Sequence, residues 1–146
     1  MNKTIIAVYG RAGEGKSDTI RKVAEIFETR IFSSSIQYLK KEMDILAIIT
    51  LGSIKIGLES QGDPNSRMIY ANTIETLINA GCEIIVCATR TDGMTVAKVD
   101  ELAPKYGFHT IWKSSYYTNK LDYDSVNLLA AEEIVDLIQA LIVCRI

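Results

Sequence analysis

Eight residues near the amino terminus carry the clearest chemistry in the chain. Gly10-Arg11-Ala12-Gly13-Glu14-Gly15-Lys16-Ser17 sets three glycines at close spacing and ends on a lysine and a hydroxyl. The spacing is G-x-x-x-x-G-K-[ST]. Glycine lets the backbone enter conformations that a Cβ obstructs, so successive N–H groups can converge on an anion. A helix starting directly behind such a turn adds the positive end of its dipole. Lys16 supplies a point charge for the outer phosphates, and Ser17 a hydroxyl for a metal ion that bridges them. The chemistry is phosphate binding, with Gly10, Arg11, Ala12, Gly13, Glu14, Gly15, Lys16, Ser17 and Asp18 as candidate contacts.

Phosphoryl chemistry also asks for an acid at the end of a neighbouring strand, to hold the metal's water or accept a proton. Ile54-Lys55-Ile56-Gly57-Leu58-Glu59 ends in one, which makes Glu59 a candidate base and, with Ser17, a candidate metal ligand. Asp63, just before Pro64, has its own explanation as a helix cap. Asp44 precedes its strand and is badly placed for the same work. Arg90 follows an apolar strand and could neutralise charge on a moving phosphoryl group, while Ser60, Gln61 and Arg67 could bind a second substrate. Tyr116 and Tyr117 could stack on a base or pack on the last helix, and His109 reads as structural.

The elements that must position these residues follow from periodicity. Lys3 to Tyr9 is a continuous apolar strand, and Ile20, Val23, Ala24 and Phe27 give a helix over Asp18–Thr29 its buried face. Arg30–Ser33 is a short strand candidate, and Ser34–Glu42 is compatible with one or two helical turns. Asp44–Thr50 and Ser53–Leu58, parted by Leu51-Gly52, suggest a β-hairpin or a bent long strand. A helix is expected from Pro64 to Gly81, with Ile69, Ile74, Leu77 and Ile78 inward. Glu83–Ala88 is a further strand, Thr95–Ala103 a short helix, and Phe108–Trp112 the last strand. Val126, Leu129, Ala130, Ile134, Leu137, Ile138 and Leu141 mark a closing helix with Asp124 as its cap. Alternating strands and helices predict a single-domain, three-layer α/β/α fold on a mostly parallel sheet of about five strands, with ligands at the strands' carboxyl ends.

The 146 residues, 48% hydrophobic and 23% charged, describe a folded globular chain. A formal net charge of -2 offers no electrostatic footprint for nucleic acid. No run suits a signal peptide or a membrane span. Three cysteines without C-x-x-C spacing, and one histidine, give neither a disulfide framework nor a zinc site, so a cytoplasmic location is expected.

Gly10–Ser17 resembles the Walker A motif of P-loop NTPases, and the order of strands and helices is similar to that of small nucleoside and nucleotide kinases of the adenylate-kinase type. The resemblance implies ATP and Mg²⁺, with Lys16 on the phosphates, Ser17 on the metal, Glu59 as base or metal-water ligand and Arg90 in support. It also implies a small-molecule or nucleotide phosphate acceptor. Only Thr89–Thr95 stands where such kinases carry an arginine-bearing lid. The alternative is a non-catalytic regulatory nucleotide-binding module, acting with a protein partner or as a homo-oligomer. A Ras-like GTPase is a further alternative, because Asn119-Lys120-Leu121-Asp122 spells N-K-x-D and Glu59-Ser60-Gln61-Gly62 resembles D-x-x-G.

Overall fold

A computed structural model describes residues 1–11 and 13–146. Among them run six strands and five helices in an α/β arrangement, one strand more than the periodicity predicts. The sheet order is β2-β3-β4-β5-β1-β6. Strand β1 (Thr4–Tyr9) lies inside it, flanked in parallel by β5 (Ile84–Thr89) and the edge strand β6 (His109–Ser114). Its neighbours cover both edges and helices cover both faces, so an unbroken apolar run is what the position demands. Ile6 and Val8 face a core shared with α1 (Lys16–Arg30) and α5 (Tyr123–Ile142). Ile5 and Ala7 face the opposite core, under α3 (Thr73–Asn79) and α4 (Met94–Tyr106).

The other half of the sheet is mixed. Strands β3 (Ile45–Leu51) and β4 (Ile54–Glu59) form the expected hairpin, turning at Gly52, whose φ of 61° suits glycine. Strand β4 then pairs in parallel with β5. The strand expected over Arg30–Ser33 is instead the end of α1 and the turn after it, and the segment open to a helical reading is the edge strand β2 (Ser34–Lys41), antiparallel to β3. Its side chains alternate, Ser34, Ile36 and Tyr38 half-buried and Ser35, Gln37 and Leu39 exposed. Edge strands are polar on the free side, so composition alone hides this period of two. Because β3 is antiparallel to both neighbours, its first residues lie at the carboxyl ends of β4 and β5.

Four local expectations are corrected. The helix expected over Pro64–Gly81 is two short ones, α2 (Arg67–Tyr70) and α3, separated at Asn72 in a left-handed conformation of φ 51° and ψ 47°. Asp63 caps neither: α2 begins only at Arg67, with Ser66 at its N-cap, and the Asp63 carboxylate pairs with Arg90. Gly81 does end α3, where Gly81 N–H donates to Ile78 O and Cys82 N–H to Leu77 O. The cap of α5 is Asp122, whose carboxylate accepts from the backbone of Asp124 and Ser125, whereas Asp124 pairs with Lys22 at 2.7 Å. The buried face of α5 is also rotated from the expected stripe, with Asn127 inside and Leu129 exposed. No helix is long and apolar enough to cross a membrane among the described residues.

The break between α2 and α3 makes a direct prediction. Asn72→Ala should lose about 1 kcal/mol of stability in urea unfolding, because alanine resists a left-handed backbone, while Asn72→Gly should lose little.

Candidate functional site

All the loops at issue emerge at the carboxyl ends of β1, β4, β5 and β6. Gly13 and Gly15 hold φ values of 76° and 73°, and the Gly15 carbonyl accepts the first bond of α1, from Thr19 N–H, at 2.9 Å. A Cβ at Gly10 would stand 2.1 Å from the Ser115 hydroxyl and 2.7 Å from the Glu14 carboxylate, so both side chains would have to turn away. Ala12, expected among the contacts, lies outside the described residues. Glu14 turns back on the loop, its carboxylate accepting from Arg11 N–H at 3.0 Å and from Ser115 Oγ at 3.2 Å. Asp18 is similarly engaged, accepting from Asn127 Nδ2 at 2.9 Å and lying 3.6 Å from Arg21 and 3.8 Å from Lys22. These two acids brace the loop against the segment after β6 and against α5. Arg11 is exposed on the rim.

Lys16 is only 7% exposed, and its ammonium donates to Gly10 O at 2.7 Å and Thr89 O at 2.6 Å. Two of its three donors are thus held by carbonyls at the ends of β1 and β5. Burial and, secondarily, the Arg90 charge bring its pKa down to about 8, against the opposing pull of Asp63 and Glu14. Ser17 Oγ donates to Ser60 O at 2.7 Å, tying the start of α1 to the loop after β4.

Beside them opens a cavity of about 250 Å³, whose walls include Lys16, Ser17, Asp44, Gln61, Gly62 and Asp63. That volume suits a phosphate chain; whole-ligand pockets run to roughly 300–1,000 Å³. Gly62 is obligatory for its shape, because a Cβ would come within 2.3 Å of the Ala88 carbonyl oxygen on β5. Glu59 is not among the cavity's walls. It is fully buried (0% exposed) and accepts from Arg67 Nε and Nη2, the latter at 2.9 Å, and from Gln61 N–H at 3.1 Å. Gln61 Oε1 in turn accepts from Arg67 N–H at 2.9 Å, closing a polar knot between β4 and α2. Strand β5 also separates β4 from β1, so Glu59 does not end a strand adjacent to the loop strand.

The acids on the cavity's walls are Glu14 and Asp18, both engaged within the loop, and Asp44 and Asp63 across from them. Asp44 arrives there because β3 is antiparallel to β4 and β4 pairs in parallel with β5; the hairpin is local, but its seat in the sheet is not. Asp44 accepts from Ser60 Oγ at 2.9 Å, and that hydroxyl accepts from Ile45 N–H at 2.8 Å. Arg90 donates to Asp63 Oδ1 through Nε at 3.1 Å, with Nη2 3.0 Å from the same oxygen. Asn127 was also missed, although it shares helical spacing with Ala130, Ala131, Ile134 and Ile138, a polar residue on an apolar face. Among the described residues no group of three or more Asp, Glu, His or Cys side chains is clustered to hold a metal by itself.

Other expected features fall elsewhere. Tyr116 donates to Glu133 of α5 at 2.6 Å, and Tyr117 meets Tyr123 edge-on with centroids 6.5 Å apart. Asp122, the last residue of N-K-x-D, is committed to capping α5. His109 is exposed on β6, and Cys87 is a core residue whose burial pushes its thiol up to about 12.

Removing one member of a buried ion pair leaves the other charge uncompensated. Glu59→Ala should therefore cost about 3–5 kcal/mol in urea unfolding, and Glu59→Gln, which keeps an acceptor for Arg67, should cost less. No protein-family model, no curated protein and no solved structure matches this chain, so what the site does has to be read from its own geometry.

Proposed function

We propose that this chain is a single-domain, three-layer P-loop protein that binds ATP with Mg²⁺ and acts as a small kinase-like phosphotransferase or ATPase. The observation that carries the reading is Lys16: a desolvated ammonium on the floor of a polar cavity, at the start of α1, held only by two backbone carbonyls. A phosphate oxygen is a better partner for that ammonium than a neutral carbonyl. Gly13, Gly15 and the first turn of α1 contribute backbone donors and the helix dipole.

Mg²⁺ takes one or two protein oxygens, completing its octahedron with phosphates and water. The Ser17 hydroxyl and the carboxylates of Asp44 and Asp63 on one cavity fit that demand. The ion supplies charge neutralisation on the phosphates. Lys16 stabilises the transferring group and Arg90 adds charge from the end of β5. Glu59 serves the site by holding Arg67 and Gln61 in place, and the acid facing the ligand is Asp63 or Asp44. Adenine is favoured over guanine because Asp122 already spends its carboxylate on the helix cap. Three free cysteines suit a reducing cytoplasm.

A regulatory nucleotide-binding module is the second reading. It is favoured by the exit loop of β5, Arg90–Gly93, which is too short to close over a phosphate chain.

Lys16→Ala should weaken Mg–ATP binding roughly ten- to a hundredfold by calorimetry, and unchanged affinity would sink the proposal. Wild-type protein should prefer ATP to GTP in the same titration. Turnover with a panel of acceptors then separates an enzyme from a module. Proton linkage gives an independent check. An incoming phosphate raises the Lys16 pKa from about 8, so at pH 8 the complex holds more protons than the free protein. Binding at pH 8 should take up to about half a proton, seen as a buffer-dependent enthalpy, and none at pH 6.5; affinity should fall as pH rises above 8.

A further inference from the structure

Next to the phosphate cavity, and sharing Gln61 and Asp63 with it, lies a second cavity of about 480 Å³. Pro64, Asn65, Ser66 and Arg90 complete its walls. Arg90 donates to one oxygen of Asp63 through Nε at 3.1 Å, with Nη2 3.0 Å from the same oxygen, so its planar fork meets only half of a carboxylate. The pair is also poorly protected, with the Asp63 side chain 65% exposed against 31% for Arg90. Exposed ion pairs of this kind contribute little and exchange easily. On the same wall Ser66 is 2% exposed, and its hydroxyl has no hydrogen-bond partner among the described residues. A buried hydroxyl in that state is costly.

We propose that this second cavity receives the phosphate acceptor, and that the acceptor carries an oxyanion, a carboxylate or a phosphate, which replaces Asp63 on Arg90. The inference rests on the reading that Gly10–Ser17 holds the phosphates of a nucleotide. A guanidinium matches both anions with parallel N–H donors, and Asp63 already shows that its fork takes a carboxylate. The shared walls put the occupant of the second cavity beside the outer end of a phosphate chain in the first. Displacement also frees Asp63 at the boundary between the two ligands.

The test is a titration with inorganic phosphate and with malonate as separate probes, followed by calorimetry and by amide NMR shifts at residues 63–66. It is run on wild-type protein saturated with Mg²⁺ and a non-hydrolysable ATP analogue, which fills the phosphate cradle. It is repeated on nucleotide-free Lys16→Ala, in which the cradle has lost its cation. At least one probe should bind at a single site in both arms, and the tighter probe identifies the anion. Asp63→Asn, by removing the internal competitor, should tighten that binding about two- to fivefold. Arg90→Gln should weaken it roughly tenfold or more. Nucleotide binding without any probe binding, or an Asp63→Asn variant no tighter than wild type, overturns this inference alone. Failure of the wild-type protein to bind nucleotide overturns the phosphotransferase reading beneath it, whatever the anions do.

Discussion

A lysine ammonium folded into the ends of two parallel strands sets the terms for everything around it. Lys16 is nearly excluded from water, and a charge in that position must be held by oxygen. Gly10 O and Thr89 O supply the oxygen because β1 and β5 are neighbours in register and end together, Tyr9 opposite Thr89. The glycines bring the loop over the ends of those strands, and Ser115, Glu14 and Asn127 hold it there from the far side. Carbonyls satisfy the ammonium without neutralising it. The site therefore keeps a positive charge that is solvated poorly enough to titrate near pH 8 and firmly enough to stay in place.

The acids divide into two kinds by their surroundings. Glu59 is sealed beneath α2 and answered by a forked arginine, so its charge is consumed in joining β4 to α2. Asp44 and Asp63 keep a face on open space, the first steadied by Ser60 and the second by Arg90. A buried, fully paired carboxylate is a structural tie, whereas a half-paired one at a cavity wall can change partners. The difference lies in packing, not in residue type.

This division explains what the sequence could disclose. The strand, loop and first helix were legible because each is written in adjacent residues: an apolar run, glycines at fixed spacing, then Ile20, Val23, Ala24 and Phe27 at helical intervals. The hairpin at Gly52 was legible for the same reason. The seat of that hairpin in the sheet was not, because it depends on which distant strand β4 pairs with, and with it went the placement of Asp44. Asp63 before Pro64 has every local mark of a cap, yet the helix starts only at Arg67 and the carboxylate meets Arg90 from a distant strand end. Asp122 and Asp124 are equally good caps by type, and only the structure shows which one ends the loop. The knot of Glu59, Gln61 and Arg67 joins β4 to α2, beyond any fixed spacing.

The position of β5 has a mechanical consequence. One peptide unit separates the Thr89 carbonyl, which holds Lys16, from the Arg90 side chain, which holds Asp63. Arg90 N–H is itself pinned by Thr95 Oγ1 at 3.0 Å, so the strand tip is anchored from α4 and has little slack. Thr89 O also accepts from Gly10 N–H at 3.3 Å, so a ligand that draws the ammonium away leaves that carbonyl still partnered. The strand tip can then stay where α4 and the loop hold it, a fixed post between two polar chambers.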